Sequence, residues 1–142
     1  MVSVERAQRR PSNTRPPVAL YVHVPFCRAR CAYCDFNTYA GLEGLMPTYV
    51  RALIREIGVA GERWGPLRVS TVYVGGGTPS LLPVDLIAEL FRAVRAAFDL
   101  SPDAEITVEA NPGTVNDVYL SGLRALGVGR LSIGVQSAQD DE

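Results

Sequence analysis

The sequence has no surplus of basic charge and no long hydrophobic run. Its 14 Lys and Arg residues are matched by 15 Asp and Glu residues, whereas a dedicated nucleic-acid-binding protein normally carries a basic surplus. No apolar stretch approaches the roughly 18–20 residues that a membrane-spanning helix needs. We therefore expect neither a nucleic-acid partner nor a membrane span.

The N-terminal segment also lacks the apolar region of a secretory signal. The arginines within the first 17 residues are not followed by the hydrophobic stretch that such a signal requires. The Pro, Ser and Arg content of residues 1–17 instead predicts a flexible arm. A reducing, cytoplasmic location is the resulting expectation, and there thiols bind metals or act in catalysis more often than they form crosslinks.

Cysteine is absent from the chain except in one short segment. The stretch YVHVPFCRARCAYCDFN, residues 21–37, contains Cys27, Cys31 and Cys34 with the spacing C-x3-C-x2-C. Because the count is odd, no disulfide pairing can use all three thiols. A site that binds metal is therefore considered first.

Short segments rich in β-branched residues alternate with longer segments of helical periodicity. The former predict strands at residues 18–24, 68–74, 105–110 and 130–135. The latter predict helices within residues 47–61, 83–98 and 114–127, with Gly61 and Gly127 as helix ends and Thr114 as an N-cap. Such alternation is typical of an α/β fold with a parallel sheet and right-handed crossovers.

The last residues, QSAQDDE, follow the fourth predicted strand with no helix to cover it. Parallel strands are normally buried on both faces, and a closed (β/α) barrel takes about 250 residues. We therefore expect residues 18–142 to form the N-terminal part of a larger barrel, with about three and a half βα units present and a truncated C-terminus.

Distinctive residues follow each predicted strand. The cysteine segment follows the first strand, GGGTPS (75–80) the second and EANPGT (109–114) the third, and the fourth ends in GVQS (134–137). Function gathers at the carboxyl ends of the strands in parallel α/β folds. The four segments therefore predict one shared site, where glycines let the backbone approach a ligand closely because they have no Cβ.

The cysteines by themselves leave several kinds of site open. Thiolates bind both Zn²⁺ and iron–sulfur clusters. His23 is a candidate fourth ligand for zinc, which gives a zinc-stabilised binding module as one alternative. Buried cysteines without a metal are another, and a cluster with one open metal position is the third.

The cysteine spacing directly after a first strand resembles the cluster-binding segment of the radical S-adenosylmethionine (SAM) superfamily. The resemblance implies that Cys27, Cys31 and Cys34 bind three irons of a [4Fe–4S] cluster, and that the fourth iron binds SAM. Reduction of SAM then gives a 5′-deoxyadenosyl radical, which implies an electron donor protein as a partner. The GGGTP segment is similar to the glycine motif of the same superfamily. By resemblance, SAM-binding roles are implied for Tyr21, Tyr33, Gly76, Gly77, Thr78, Glu109 and Gln136.

Within the superfamily, residues 20–137 resemble the group that contains oxygen-independent coproporphyrinogen III oxidases and HemW-type heme chaperones. The oxidases typically carry a further cysteine two residues after the third, where this chain has Phe36. Phe36 and the short N-terminal arm favour the chaperone, which implies heme as cargo and heme-acceptor proteins as partners. Oxidative decarboxylation of coproporphyrinogen is the alternative. Enzymatic activity stays open, and we expect these 142 residues alone to be inactive because much of the shielding barrel is missing.

Overall fold

The computed structural model describes residues 16–137 and residue 139. In chain order the strands are β1 (Val18–Val24), β2 (Phe26–Cys27), β3 (Tyr39–Ala40), β4 (Arg68–Gly76), β5 (Asp99–Ala110) and β6 (Arg130–Ile133). The helices are α1 (Met46–Trp64), α2 (Val84–Ala97) and α3 (Asp117–Ala125). The predicted arm falls outside the described residues except for Pro16 and Pro17, as do residues 138 and 140–142, so the predicted domain boundaries stay predictions.

The central element of the fold is a four-stranded parallel sheet. Its strands lie in the order β1-β4-β5-β6, and every neighbouring pair is parallel. Strands β2 and β3 form a separate two-stranded parallel sheet. The predicted α/β class with parallel strands and helical crossovers is therefore confirmed.

The two faces of the sheet differ in chemistry because side chains alternate along each strand. One face carries buried aliphatic residues that pack against the helices: Val22, Val24, Val72, Val74, Ile106 and Val108. Helix α2 covers this face with Leu90, Phe91 and other buried residues, and α1 adds Val50 and Ile57. Each such side chain contributes roughly 1.5–3 kcal/mol by burial. The opposite face is polar, and one row across it aligns Tyr21, Tyr73, Thr107 and Arg130.

Two predicted boundaries are wrong by several residues. Strand β5 begins at Asp99 and not at residue 105. Its early part contains Pro102, and the register with β4 shifts between Val69 and Thr71, so that an irregular stretch accommodates the proline. Helix α1 continues past Gly61 to Trp64, because Gly61 is buried against Ala97 of the neighbouring helix.

The third helix also begins differently from the prediction. Asn116 is its N-cap, and the Asn116 side chain accepts a hydrogen bond from the Tyr119 amide at 2.9 Å. Thr114 instead closes a short 3-10 turn (Pro112–Thr114) through a reciprocal capping arrangement with Asn111. Strand β6 ends at Ile133, two residues before the predicted end. Among the described residues, none of the helices has the length and hydropathy of a membrane-spanning segment.

Candidate cofactor site at the strand ends

A cavity of about 260 Å³ opens at the carboxyl ends of the strands. It is lined by residues from four sequence segments that the prediction grouped together. Nearly all predicted site residues contribute to this lining: Cys27, Cys31, Cys34, Tyr33, Gly76, Gly77, Thr78, Glu109 and Gln136. Tyr21 is the predicted residue that is not part of the lining.

The cysteine loop, residues 28–37, projects from the end of β2 and returns to β3. Pairing of β2 with β3 joins the ends of the loop, and the Tyr39 amide donates to the Pro25 carbonyl at 2.7 Å. Within the loop, the Cys34 amide donates to the Cys31 carbonyl at 3.1 Å. All three thiols are free, with Cys31 exposed and the other two partly buried. Three thiols thus line one cavity, with Cys27 at the end of β2 and Cys31 and Cys34 in the loop.

The arrangement of these thiols bears on the kind of metal group that fits. Across residues 16–137 and 139, no three His, Cys, Asp or Glu side chains are arranged to hold one metal ion. All three thiols line one common cavity, beside the backbone of the glycine segment. Cysteine thiolates are the usual ligands of iron–sulfur clusters.

His23 is already engaged by the protein. Its Nε2 donates to the Asn37 carbonyl at 2.9 Å, and its Nδ1 lies 3.2 Å from the Tyr21 hydroxyl oxygen. The Tyr49 hydroxyl in turn donates to the His23 carbonyl at 2.8 Å. Because both ring nitrogens have protein partners, His23 supports the end of the cysteine loop and is poorly suited to complete a Cys3His zinc site.

The glycine turn, residues 75–80, is joined directly to the start of the cysteine loop. The Gly77 amide donates to the Val24 carbonyl at 2.8 Å, and the Thr78 amide to the Phe26 carbonyl at 2.7 Å. A Cβ on Gly77 would lie 2.6 Å from the Phe26 carbonyl oxygen and 2.9 Å from Cys27 Sγ. Glycine is therefore required here for contact with the protein's own cysteine segment.

The Glu109 carboxylate lies at the end of β5 with both oxygens hydrogen-bonded. The Tyr73 hydroxyl donates to Oε1 at 2.6 Å, and the Gly76 amide donates to Oε2 at 3.0 Å. The bond to Glu109 is the largest of the effects that raise the pKa of Tyr73, and partial burial adds to it. The negative charge is thus fixed at the edge of the cavity.

A group of small polar side chains links the ends of β4 and β5. The Asn111 Nδ2 donates to Thr78 Oγ1 at 3.4 Å, and the Thr78 hydroxyl donates to Cys27 Sγ at 3.8 Å. The Ser80 and Thr114 hydroxyls are also hydrogen-bonded to one another. The sequence prediction missed Asn111 and Ser80, although polar residues directly after two buried strands could have indicated them.

The two predicted tyrosines lie in different surroundings. Tyr33 is on the cysteine loop and 72% exposed, and a hydrogen bond to the Cys31 side chain is the main cause that raises its pKa. Tyr21 is 55% exposed on the polar face of the sheet, where its ring stacks on Tyr73 with centroids 6.1 Å apart. Partial burial, followed by the Glu109 charge, raises the pKa of Tyr21.

Gln136 follows β6 with an unusual backbone conformation. Its φ of 65° lies in the left-handed region, which residues other than glycine seldom adopt. A Cβ on Gly134 would lie 3.0 Å from Gln136 Nε2 and 3.2 Å from Asn111 Oδ1. The glycine thus leaves room for two amide side chains at the rim of the cavity.

Known proteins are similar to this chain over most of its length. Residues 21–141 match the sequence model of the radical SAM superfamily. The heme chaperone HemW of Mycobacterium tuberculosis is 48% identical over 124 residues, which cover 85% of this chain and 32% of that protein. HemW of Synechocystis is 44% identical over 131 residues, which cover 88% of this chain and 31% of the relative.

The fold is also similar to that of a solved structure. The coproporphyrinogen III oxidase HemN of Escherichia coli, described as a radical SAM enzyme, superposes with a TM-score of 0.82 at 36% identity. The match covers 88% of this chain and 29% of that one. The chain spans about a third of the length of the curated relatives it matches. The sequence model and the fold similarity agree, and the chain belongs to the radical SAM superfamily.

Proposed function

We propose that the protein is a radical SAM protein of the HemW type, which binds heme and transfers it to acceptor proteins. The observation that carries the cofactor part of the proposal is one cavity lined by all three thiols, the glycine turn, Glu109 and Gln136. The three thiols at the end of β2 and in the cysteine loop provide soft ligands for iron. The glycine turn and the carboxylate provide hydrogen-bonding groups for a polar, charged cofactor.

Each group has a role in this proposal. Cys27, Cys31 and Cys34 hold a [4Fe–4S] cluster, while the backbone of Gly76 and Gly77 and the Thr78 side chain bind SAM. Glu109 receives the ribose hydroxyls, and Tyr21, Tyr33 and Gln136 provide further contacts to SAM. With its open iron, the cluster would supply one electron to the sulfonium of SAM, which requires a donor protein. No residue of the described chain is assigned as a catalytic acid or base.

The chaperone is favoured over the oxidase by two observations. The relatives of Mycobacterium tuberculosis and Synechocystis carry the name heme chaperone and are 48% and 44% identical to this chain. Phe36 also stands where the oxidases typically have an additional cysteine. Residues 18–137 would then contribute the first strands of a radical SAM core. Heme binding itself is proposed for the whole protein.

Oxygen-independent coproporphyrinogen III oxidase is the second candidate. It is favoured by the likeness to HemN of Escherichia coli, with its TM-score of 0.82 and 36% identity. In this case the radical would act on the propionate side chains of the substrate. The same cysteine loop and glycine turn serve both candidates, so the cavity does not distinguish them.

Reconstitution with iron and sulfide under anaerobic conditions tests the cofactor assignment. The full-length protein is expected to bind about four irons and to absorb broadly near ~400 nm. Alanine substitution of Cys27, Cys31 or Cys34 should remove most of the iron and weaken SAM binding. Arg28→Ala changes an exposed residue of the same loop and serves as the matched control. Wild-type iron content in the alanine variants, or stoichiometric zinc in the wild type, would contradict the assignment.

Two assays on the cluster-loaded full-length protein separate the candidates. A chaperone is expected to retain heme during gel filtration and to pass it to an apo-acceptor protein, without consuming coproporphyrinogen. An oxidase is expected to decarboxylate coproporphyrinogen with repeated turnover in the presence of SAM and a reductant. Multiple turnovers would replace the first proposal with the second.

A further inference from the structure

Tyr73 lies beside the cofactor site, and the sequence analysis assigns it no role. It occupies β4 two residues before the glycine turn, on the polar face of the sheet. Its hydroxyl donates to Glu109 Oε1 at 2.6 Å, a short hydrogen bond of the kind that a charged acceptor forms. Glu109 is part of the cavity lining whereas Tyr73 is not, so Tyr73 contacts the carboxylate from outside that lining.

The tyrosine is itself held in place. Its ring stacks on Tyr21 of β1 at an interplanar angle of 18°, and the two residues are direct register partners. A Cβ on Gly75 would lie 2.7 Å from Tyr73 Cε1 and 3.0 Å from Glu109 Oε2. The first glycine of the turn therefore leaves the space in which the Tyr73–Glu109 pair meets.

The second oxygen of the carboxylate is fixed by the turn itself, because the Gly76 amide donates to Oε2 at 3.0 Å. Two donors from β4 thus define the orientation of a carboxylate that belongs to β5. An acceptor that is oriented before the ligand arrives binds with a smaller loss of side-chain entropy. Glu109 retains lone pairs on both oxygens after these two bonds, so it can still accept hydrogen bonds from a ligand.

We propose that Tyr73 is a positioning residue that orients Glu109 toward the ribose hydroxyls of SAM. The inference rests on the proposed cofactor role of Glu109 and adds a residue to it. Tyr73 does not contact the ligand in this assignment and acts only through the carboxylate. Removal of its hydroxyl should therefore weaken ribose recognition and leave the iron site intact.

A double-mutant cycle on the cluster-loaded, full-length protein tests the assignment. The SAM dissociation constant is measured for the wild type, Tyr73→Phe, Glu109→Ala and the double variant. Tyr73→Phe keeps the ring that stacks on Tyr21 and should raise the dissociation constant about three- to tenfold, as expected when one side chain must be immobilised on binding. In the Glu109→Ala background the same change should have less than about a twofold effect, because the partner is gone.

A second ligand distinguishes positioning from general loosening of the site. Methionine has the amino and carboxylate groups of SAM but no ribose, so its affinity should be equal in the wild type and Tyr73→Phe. Tyr119→Phe is the matched control, since it removes a hydroxyl that donates to the Leu82 carbonyl at 3.1 Å, away from the cavity. Its SAM affinity should equal that of the wild type.

The outcomes separate failure of the inference from failure of the proposed function. Equal SAM affinities of Tyr73→Phe and the wild type, additive effects in the cycle, or an equal loss for methionine would each overturn the role of Tyr73 alone. A cluster-loaded wild type that does not bind SAM would overturn the proposed function together with this assignment.

Discussion

The cysteine loop and the glycine turn border the same cavity but are stabilised in different ways. Every residue of the cysteine loop (28–37) is exposed except the partly buried Cys34, whereas Gly75, Thr78, Pro79 and Ser80 of the glycine turn (75–80) are buried. The turn is bonded to two neighbouring segments through the amides of Gly77 and Thr78. One side of the cavity is thus built by the protein's own packing.

The loop, by contrast, has mainly internal bonds. The Arg30 guanidinium donates to the Cys34 carbonyl at 3.3 Å, and the Cys34 amide donates to the Cys31 carbonyl. Its connections to the rest of the fold lie near its ends, at His23–Asn37 and at the β2–β3 pairing. Metal ligation commonly supplies folding free energy to segments of this kind. We expect the glycine turn to be formed already in the metal-free protein. The cysteine loop should become ordered when the metal binds.

The largest effect should follow from a side chain added to the glycine turn. Gly76 has a φ of +123°, and a Cβ there would lie 2.6 Å from His23 Cε1 and 3.0 Å from the Val24 carbonyl oxygen. Gly76→Ala therefore combines backbone strain with overpacking and should lower the free energy of unfolding by about 3 kcal/mol. Urea denaturation of the metal-free protein measures this change.

Gly58→Ala is the matched control for that substitution. Gly58 lies within α1, and a Cβ there would meet nothing within 4 Å. Alanine in a helix interior is preferred over glycine by about 0.5–1 kcal/mol, so this variant should be slightly more stable than the wild type. If Gly76→Ala lowers the free energy of unfolding by less than about 1 kcal/mol, the glycine turn adjusts to an added side chain as readily as the cysteine loop.

The sequence predicts the fold well where periodicity is regular. Strand β1 has the predicted bounds because aliphatic residues that pack on the core alternate with more exposed residues from Val18 to Val24. The start of β5 was missed because Pro102 is unfavourable in a regular strand, and only the register shift against β4 accommodates it. Gly61 was predicted to end the first helix. The sequence does not indicate its contact with Ala97, because that contact depends on how the two helices pack.

The site was predictable to a similar extent and for related reasons. Strand-end segments converge in any parallel sheet, which explains why the thiols, the glycine turn, Glu109 and Gln136 meet at one cavity. Tyr73 could not be recognised in this way. Its position within a strand of β-branched and aromatic residues is typical of core packing, and only the neighbouring strand brings the Glu109 carboxylate within 2.6 Å.

An intermediate effect is expected at Thr78, which connects the two regions. Thr78 is 5% exposed, and its hydroxyl donates to Cys27 Sγ and accepts from Asn111 Nδ2. Thr78→Val keeps the shape but removes both bonds, so it should lower the free energy of unfolding by about 1–2 kcal/mol. It should also make the cluster potential more negative, because hydrogen bonds to ligand sulfurs help to set that potential.

Urea denaturation and a redox titration monitored by electron paramagnetic resonance, without SAM, measure these two effects. Thr48→Val is the control, as Thr48 is exposed on α1 and accepts from Arg51 at 2.8 Å. Its stability should stay within about 0.5 kcal/mol of the wild type. An unchanged potential in Thr78→Val would mean that the turn does not influence the cluster through this bond.

The smallest effect on the metal-free protein is expected for Cys31→Ala. Cys31 is exposed, and its bond with the Cys34 amide uses the backbone carbonyl, which alanine retains. The hydrogen bond of its side chain to the exposed Tyr33 is lost, but such a bond at the surface contributes little to stability. The free energy of unfolding should therefore change by less than about 0.5 kcal/mol. The stabilities of the wild type and Cys31→Ala should differ only after iron and sulfide are added. The wild type then gains thermal stability and Cys31→Ala does not, because a ligand stabilises only the state that binds it. A loss above about 1 kcal/mol without metal would mean that packing already fixes the loop, and the contrast with the glycine turn would disappear.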